Sequence, residues 1–125
     1  MPYTIHIDHY KQLVIVVGRD PVTVDDALMA LDWQIAGRAW SYRTLHDARG
    51  VSSAPTRDDV RTIVAHADTN ARTLGPRGPV AYIAPPEALV ETARTDVHAA
   101  TAFARQAEVF RDVAAALRWF DGHLP

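Results

Sequence analysis

Five consecutive apolar residues, Leu13-Val14-Ile15-Val16-Val17, four of them β-branched, limit what this chain can become. Successive side chains of a strand point to opposite faces, so a run without a polar position needs apolar cover on both sides. Such a strand belongs inside a sheet. Upstream, Tyr3-Thr4-Ile5-His6-Ile7-Asp8 alternates apolar and polar residues, which suits an edge strand with one covered face. The polar link His9-Tyr10-Lys11-Gln12 makes the pair an antiparallel hairpin, with Gly18 as the expected stop of its second strand.

Helical periods follow. Thr23 is placed to cap a helix whose Val24, Ala27, Leu28, Leu31 and Ile35 form an inner stripe, with Asp25, Asp26, Asp32 and Gln34 largely off it. Tyr42-Arg43-Thr44-Leu45-His46 reads as a third strand, ended by a turn at Asp47-Ala48-Arg49-Gly50 and a loop carrying Ser52 and Ser53. Thr56 is the natural cap of a second helix, with Asp58 and Asp59 in its first turn and Val60, Ile63, Val64, Ala67, Ala71 and Leu74 inward. Gly75-Pro76 ends it. A fourth strand is expected over Pro79–Ala84, a helix from Glu87 to about Ala104, and a fifth strand over Ala107–Phe110. In the last helix Asp112 stands at the start, Val113, Ala116, Leu117 and Phe120 face inward, and Gly122 closes the end.

The order ββαβαβαβα predicts a single α/β domain over 1–125, with a mixed sheet of about five strands and about four helices packed on it. A chain of 125 residues holds one core. A formal net charge of −2 supplies no basic excess for nucleic acid. Zero cysteines remove disulfides, thiolate nucleophiles and cysteine metal sites. No apolar run reaches the roughly 20 residues that span a bilayer, and Met1-Pro2-Tyr3-Thr4 lacks the pattern of an export signal, so a cytoplasmic location is expected. Twelve arginines against one lysine, with abundant alanine, suit a GC-rich bacterial source.

This element order, the opening Met1-Pro2-Tyr3-Thr4-Ile5, the Asp47-Ala48-Arg49-Gly50 segment and the closing Val109-Phe110-Arg111-Asp112 with Ala116-Leu117 and Trp119 resemble the small bacterial STAS/SEC14-like, or SpoIIAA-like, proteins. The resemblance implies a STAS-like fold along nearly the whole chain. In the STAS family, anti-sigma-factor antagonists are phosphorylated on a serine at the start of the helix after the third strand, which controls partner binding. Thr56 is the positional equivalent here, and Pro55 stands where those antagonists carry an aspartate. SEC14-like relatives instead bind lipids in a pocket under helices.

The expected function is a non-enzymatic regulatory or protein-interaction module. Thr56, Ser53 and Ser52 are the phosphorylation candidates, and Asp47, Arg49, Gly50 and Asp58 line the partner-binding loop. The alternative is a small hydrophobic ligand, or a second copy of the chain, held at a patch of Met29, Trp33 and Trp40; the competing reading packs Trp33 on the sheet edge and Trp40 under a loop. No cofactor is implied. A receiver-type phospho-aspartate at Asp47 would need a lysine late in the sheet, and the only lysine is Lys11. His46, Asp47 and Ser52 or Ser53 have the residue types of a hydrolase triad, but neighbours on a strand point to opposite faces. The six histidines show no paired metal-ligand spacing, and His46 is the one that a ligand or base role singles out.

Overall fold

The computed structural model describes residues 2–53, 55–84, 94, 104 and 106–124. Strands β1 (Tyr3–Asp8) and β2 (Leu13–Asp20) form the antiparallel hairpin, with Ile5 opposite Val16 and Ile7 opposite Val14. β2 then pairs in parallel with β3 (Arg43–Val51), β3 with β4 (Val80–Ile83), and β4 with β5 (Ala107–Phe110). The sheet order is β1-β2-β3-β4-β5, so β1 is an edge and β2 is interior. The molecule is an α/β protein with a five-stranded mixed sheet.

Helices α1 (Val24–Ala36) and α2 (Arg57–Leu74) are the crossovers β2-α1-β3 and β3-α2-β4. Right-handed crossovers that step the same way along a sheet put their helices on the same face. Accordingly Leu31, Ile35, Ile63, Val64, Ala67 and Val80 pack in one cluster. The helix after β5, α3 (Val113–Asp121), covers the other face, where Ala116 and Phe120 meet Leu45, Ala81 and Ile83. Leu13 and Ile15 join that cluster while Val14 and Val16 pack oppositely with Tyr3, Ile5 and Ile7. The run without polar positions is thus covered on both faces. No helix among the described residues is long and apolar enough to cross a membrane.

Caps match the sequence closely. Thr23 and Thr56 both accept from the third helical N–H, and Asp26 and Asp59 reach back to the cap N–H, so each helix start is a reciprocal capping box. Asp112 accepts from Ala115 N–H at 2.8 Å and Gly122 is the C-cap of α3. Gly75 ends α2 at φ 85°, a conformation that a side chain would strain.

Other expectations need correction. Gly18 does not stop β2, which runs on to Asp20; a Cβ at Gly18 would lie 2.8 Å from Val51 and 3.0 Å from Tyr3, so the glycine serves a close approach inside the strand. The segment Asp47-Ala48-Arg49-Gly50 is no turn either. β3 continues through it to Val51, and the register slips between the Val17–Asp47 and Arg19–Gly50 pairs, which places an extra residue in β3 as a bulge. Gln34, expected outward, is buried, whereas Leu74 and Leu117, expected inward, are exposed. The helix expected from Glu87 to about Ala104 lies outside the described residues except for Arg94 and Ala104, the latter bridged in parallel to Arg77.

Candidate functional site

Between α1, α2 and the sheet lies a partly open cavity of about 150 Å³. Its wall from α1 is Val24, Ala27, Ala30 and Leu31, where the alanines leave room that a larger side chain would fill. From α2 come Val60, Ile63 and Val64, and from the sheet Val16, His46, Val80 and Tyr82. Beyond the carboxyl ends of β2 and β3 the lining includes Val22, Ser53 and Pro55, and before the start of β4 it includes Arg77. The cavity therefore follows the strands lengthwise under the two helices.

Two of its polar groups are unusual for so apolar a space. Among the described residues three buried side-chain nitrogens have no hydrogen-bond partner, and two of them, His46 Nε2 and Arg77 Nε, belong to lining residues. Strand alternation sends His46 to the helix face between the aromatic rings of Tyr3 and Tyr82, with ring centroids 5.5 and 4.7 Å away. Burial, reinforced by the nearby Arg77 charge and opposed by Asp47, lowers its pKa to about 4. His46 is neutral at pH 7. Arg77, 9% exposed, has its pKa lowered to about 10 by burial and still carries its charge at neutral pH.

A buried polar chain seats that arginine. Gln34 accepts from an Arg77 terminal nitrogen at 2.7 Å through Oε1, and its Nε2 donates to Ala39 O at 2.9 Å and to Thr44 Oγ1 at 3.1 Å. Trp40 lies with its ring centroid 5.6 Å from the Arg77 Cζ and donates its indole N–H to Gly75 O at 3.0 Å. Arg77 and Gln34 were not legible as site residues. Arg77 stands in Gly75-Pro76-Arg77-Gly78-Pro79, where a charged residue among loop formers reads as solvated, and Gln34 is a polar residue on an exposed-looking helix face.

The expected site residues divide. Thr56 caps α2 at the helix entrance, accepting from Asp59 N–H at 3.1 Å. Thr56→Ala is expected to destabilise the fold by about 1 kcal/mol, read as a lower urea midpoint with an unchanged slope; an unaltered midpoint would show that the cap contributes nothing. Ser53 reaches the cavity wall, Ser52 is exposed, and Asp58 is an exposed first-turn residue near Arg61 at 3.3 Å. Asp47 accepts from Arg49 N–H at 3.1 Å and from its guanidinium at 2.9 and 2.8 Å, which holds the carboxyl below the usual range. That pair pins the β3 bulge. Gly50 lies in the bulged strand, where a Cβ would be 3.1 Å from Gly18 O, close enough that the paired backbone would have to give by a few tenths of an ångström.

The apolar patch is not continuous. Met29 and Trp33, 43% and 48% exposed, border a shallow depression with Pro2 and with Tyr3 and Ile5 of the edge strand β1. Trp40 is 5% exposed, lies beyond the end of α1 and packs in the core with Leu31 and Ala67. None of the three lines the cavity, which is on the other flank of α1. His46 and Asp47 do not converge on one face, and among the described residues no three histidine or carboxylate groups cluster as metal donors. No protein-family model matches this chain, and no curated protein matches it closely enough to count as a relative.

Proposed function

We infer that this protein is a binding module for a small apolar ligand, with the ligand held between the helical layer and the sheet. The observation that carries the reading is the cavity itself, about 150 Å³ and lined mainly by aliphatic side chains. Well-packed interiors leave few voids larger than a water molecule, and an apolar cavity of about this size accommodates benzene. A pocket under helices is also what the SEC14-like side of the STAS/SEC14-like resemblance implies. The module has no catalytic step of its own in this reading.

Ser53 and Pro55 join the cavity to the loop that enters α2, so occupancy has a direct route to the surface where a protein partner would read it. The regulatory role expected from the loop then acts through the ligand, with phosphorylation of Thr56, Ser53 or Ser52 as a second input. What supports this link is the position of Ser53, which belongs to both the rim and the loop.

Binding of toluene or benzyl alcohol, followed by amide shift changes in two-dimensional NMR, tests the reading. Shifts are expected at Val16, Leu31, Ile63 and Val64. Ala27→Phe, which fills the cavity from α1, is expected to weaken binding at least about tenfold, equivalent to about 1.4 kcal/mol. Equal affinities for the filled and unfilled proteins would move the ligand elsewhere and defeat the proposal.

A further inference from the structure

The ligand's chemistry can be taken further, on the premise that the cavity is a ligand site. Arg77 is buried in its wall, yet the acceptor it holds, Gln34 Oε1, is uncharged, and its Nε has no acceptor among the described residues. Among the described residues no carboxylate lies within ion-pair distance of it. Trp40 offers the cation a ring face, which is weaker than a counter-charge. A buried cation left without an anion is strongly disfavoured, and a guanidinium is shaped to grip a carboxylate with two parallel N–H donors.

The remainder of the wall limits the anion. Val16, Leu31, Ile63 and Val64 present hydrocarbon, which would desolvate a polyanion without replacing its hydration. One arginine balances one negative charge, and His46 beside it adds a ring nitrogen without adding a second positive charge. We propose that the cavity binds a small monocarboxylic acid, its carboxylate on the Arg77 guanidinium and its apolar body against Val16, Leu31, Ile63 and Val64. The volume suits a body roughly the size of benzene, so the acid is in the range of benzoate or hexanoate, shorter than a membrane-lipid acyl chain.

The test is titration of the full chain at pH 7 with benzoate and hexanoate, with their uncharged counterparts benzyl alcohol and hexanol, and with inorganic phosphate. The acids are expected to bind at least about tenfold more tightly than the alcohols, in keeping with hydrogen bonds to a charged group. Arg77→Met is expected to abolish that preference, read as the ratio of acid to alcohol affinity. The wild-type comparison of acids with alcohols decides the matter even if that variant does not fold. Alcohols binding as tightly as acids would overturn the acid while leaving the apolar cavity as a ligand site. Failure of acids and alcohols alike would overturn both readings. Phosphate binding as tightly as hexanoate would show an anion site with no need of an apolar body, and would overturn the proposal too.

Discussion

Gly78→Ala should destabilise this protein by about 3 kcal/mol or more, because the added methyl has nowhere to go. A Cβ at that position would lie 2.3 Å from the carbonyl oxygens of both Ser41 and Tyr42. These are backbone atoms, fixed by the Gly78 N–H to Trp40 O bond of 3.1 Å and the Thr44 N–H to Pro79 O bond of 2.8 Å. Relief requires the entry to β4 to move away from the entry to β3. Such a movement also displaces Arg77, the neighbour of Gly78, from Gln34 and Trp40. The melting temperature should fall by roughly 10 °C or more for a chain of this size. Gly122→Ala is the control, since its Cβ would meet nothing nearer than Trp119 O at 3.8 Å. If thermal unfolding places the two variants within about 2 °C of each other, which is the scale of a neutral surface change, the close approach at Gly78 is not there.

Acid should weaken the fold through His46. Its pKa is lowered from 6.5 to about 4 in the folded protein, and an unfolded chain returns it to the ordinary value. Between those two pH values the unfolded state binds more protons, so stability is complete above about pH 6.5 and declines as pH falls towards 4. The full decline amounts to about 3 kcal/mol, a large part of the stability of an ordinary domain. Arg77 works in the same direction by repelling the imidazolium, and Asp47 opposes it. Asp47 itself, held below the usual carboxylate range by Arg49, adds a loss of the same sign at still lower pH. Urea unfolding at pH 7 and pH 4.5 should show a clear drop in the wild type and a much smaller one in His46→Gln. Equal drops, or an imidazole midpoint near 6.5 in NMR, would remove His46 from its buried position.

The fold was readable where local chemistry and burial agree. Thr23, Thr56 and Asp112 cap helices because a short side-chain oxygen at those positions meets an unpaired helical N–H whatever the rest of the chain does. The Leu13–Val17 run demanded cover on both faces and received it. Misreadings fall where a distant neighbour decides. Asp47-Ala48-Arg49-Gly50 has turn composition, yet pairing with β2 keeps it in the sheet and converts the extra residue into a bulge. Trp40 has the spacing of a helical line with Met29 and Trp33, yet the helix ends at Ala36 and Trp40 folds into the core, in line with the competing reading that packs it inward.

The candidate site divides in the same way. The sequence singled out His46 as a ligand or base candidate and Ser53 as a phosphorylation candidate; both lie on the cavity wall, whereas Arg77 and Gln34 carried no signal. The sequence by itself determined which segments become strands, though not where β2 and β3 end, the starts of α1, α2 and α3, and the α/β class, because these follow from side-chain period and from hydrogen bonds within a few residues. Only the tertiary structure decided that His46 and Arg77 share one cavity wall beneath α1 and α2, with Gln34 of α1 holding Arg77. Their proximity depends on which strands pair and on which face each crossover returns, and the cavity among them is the space left by alanines and valines that any sequence reading counts as ordinary core.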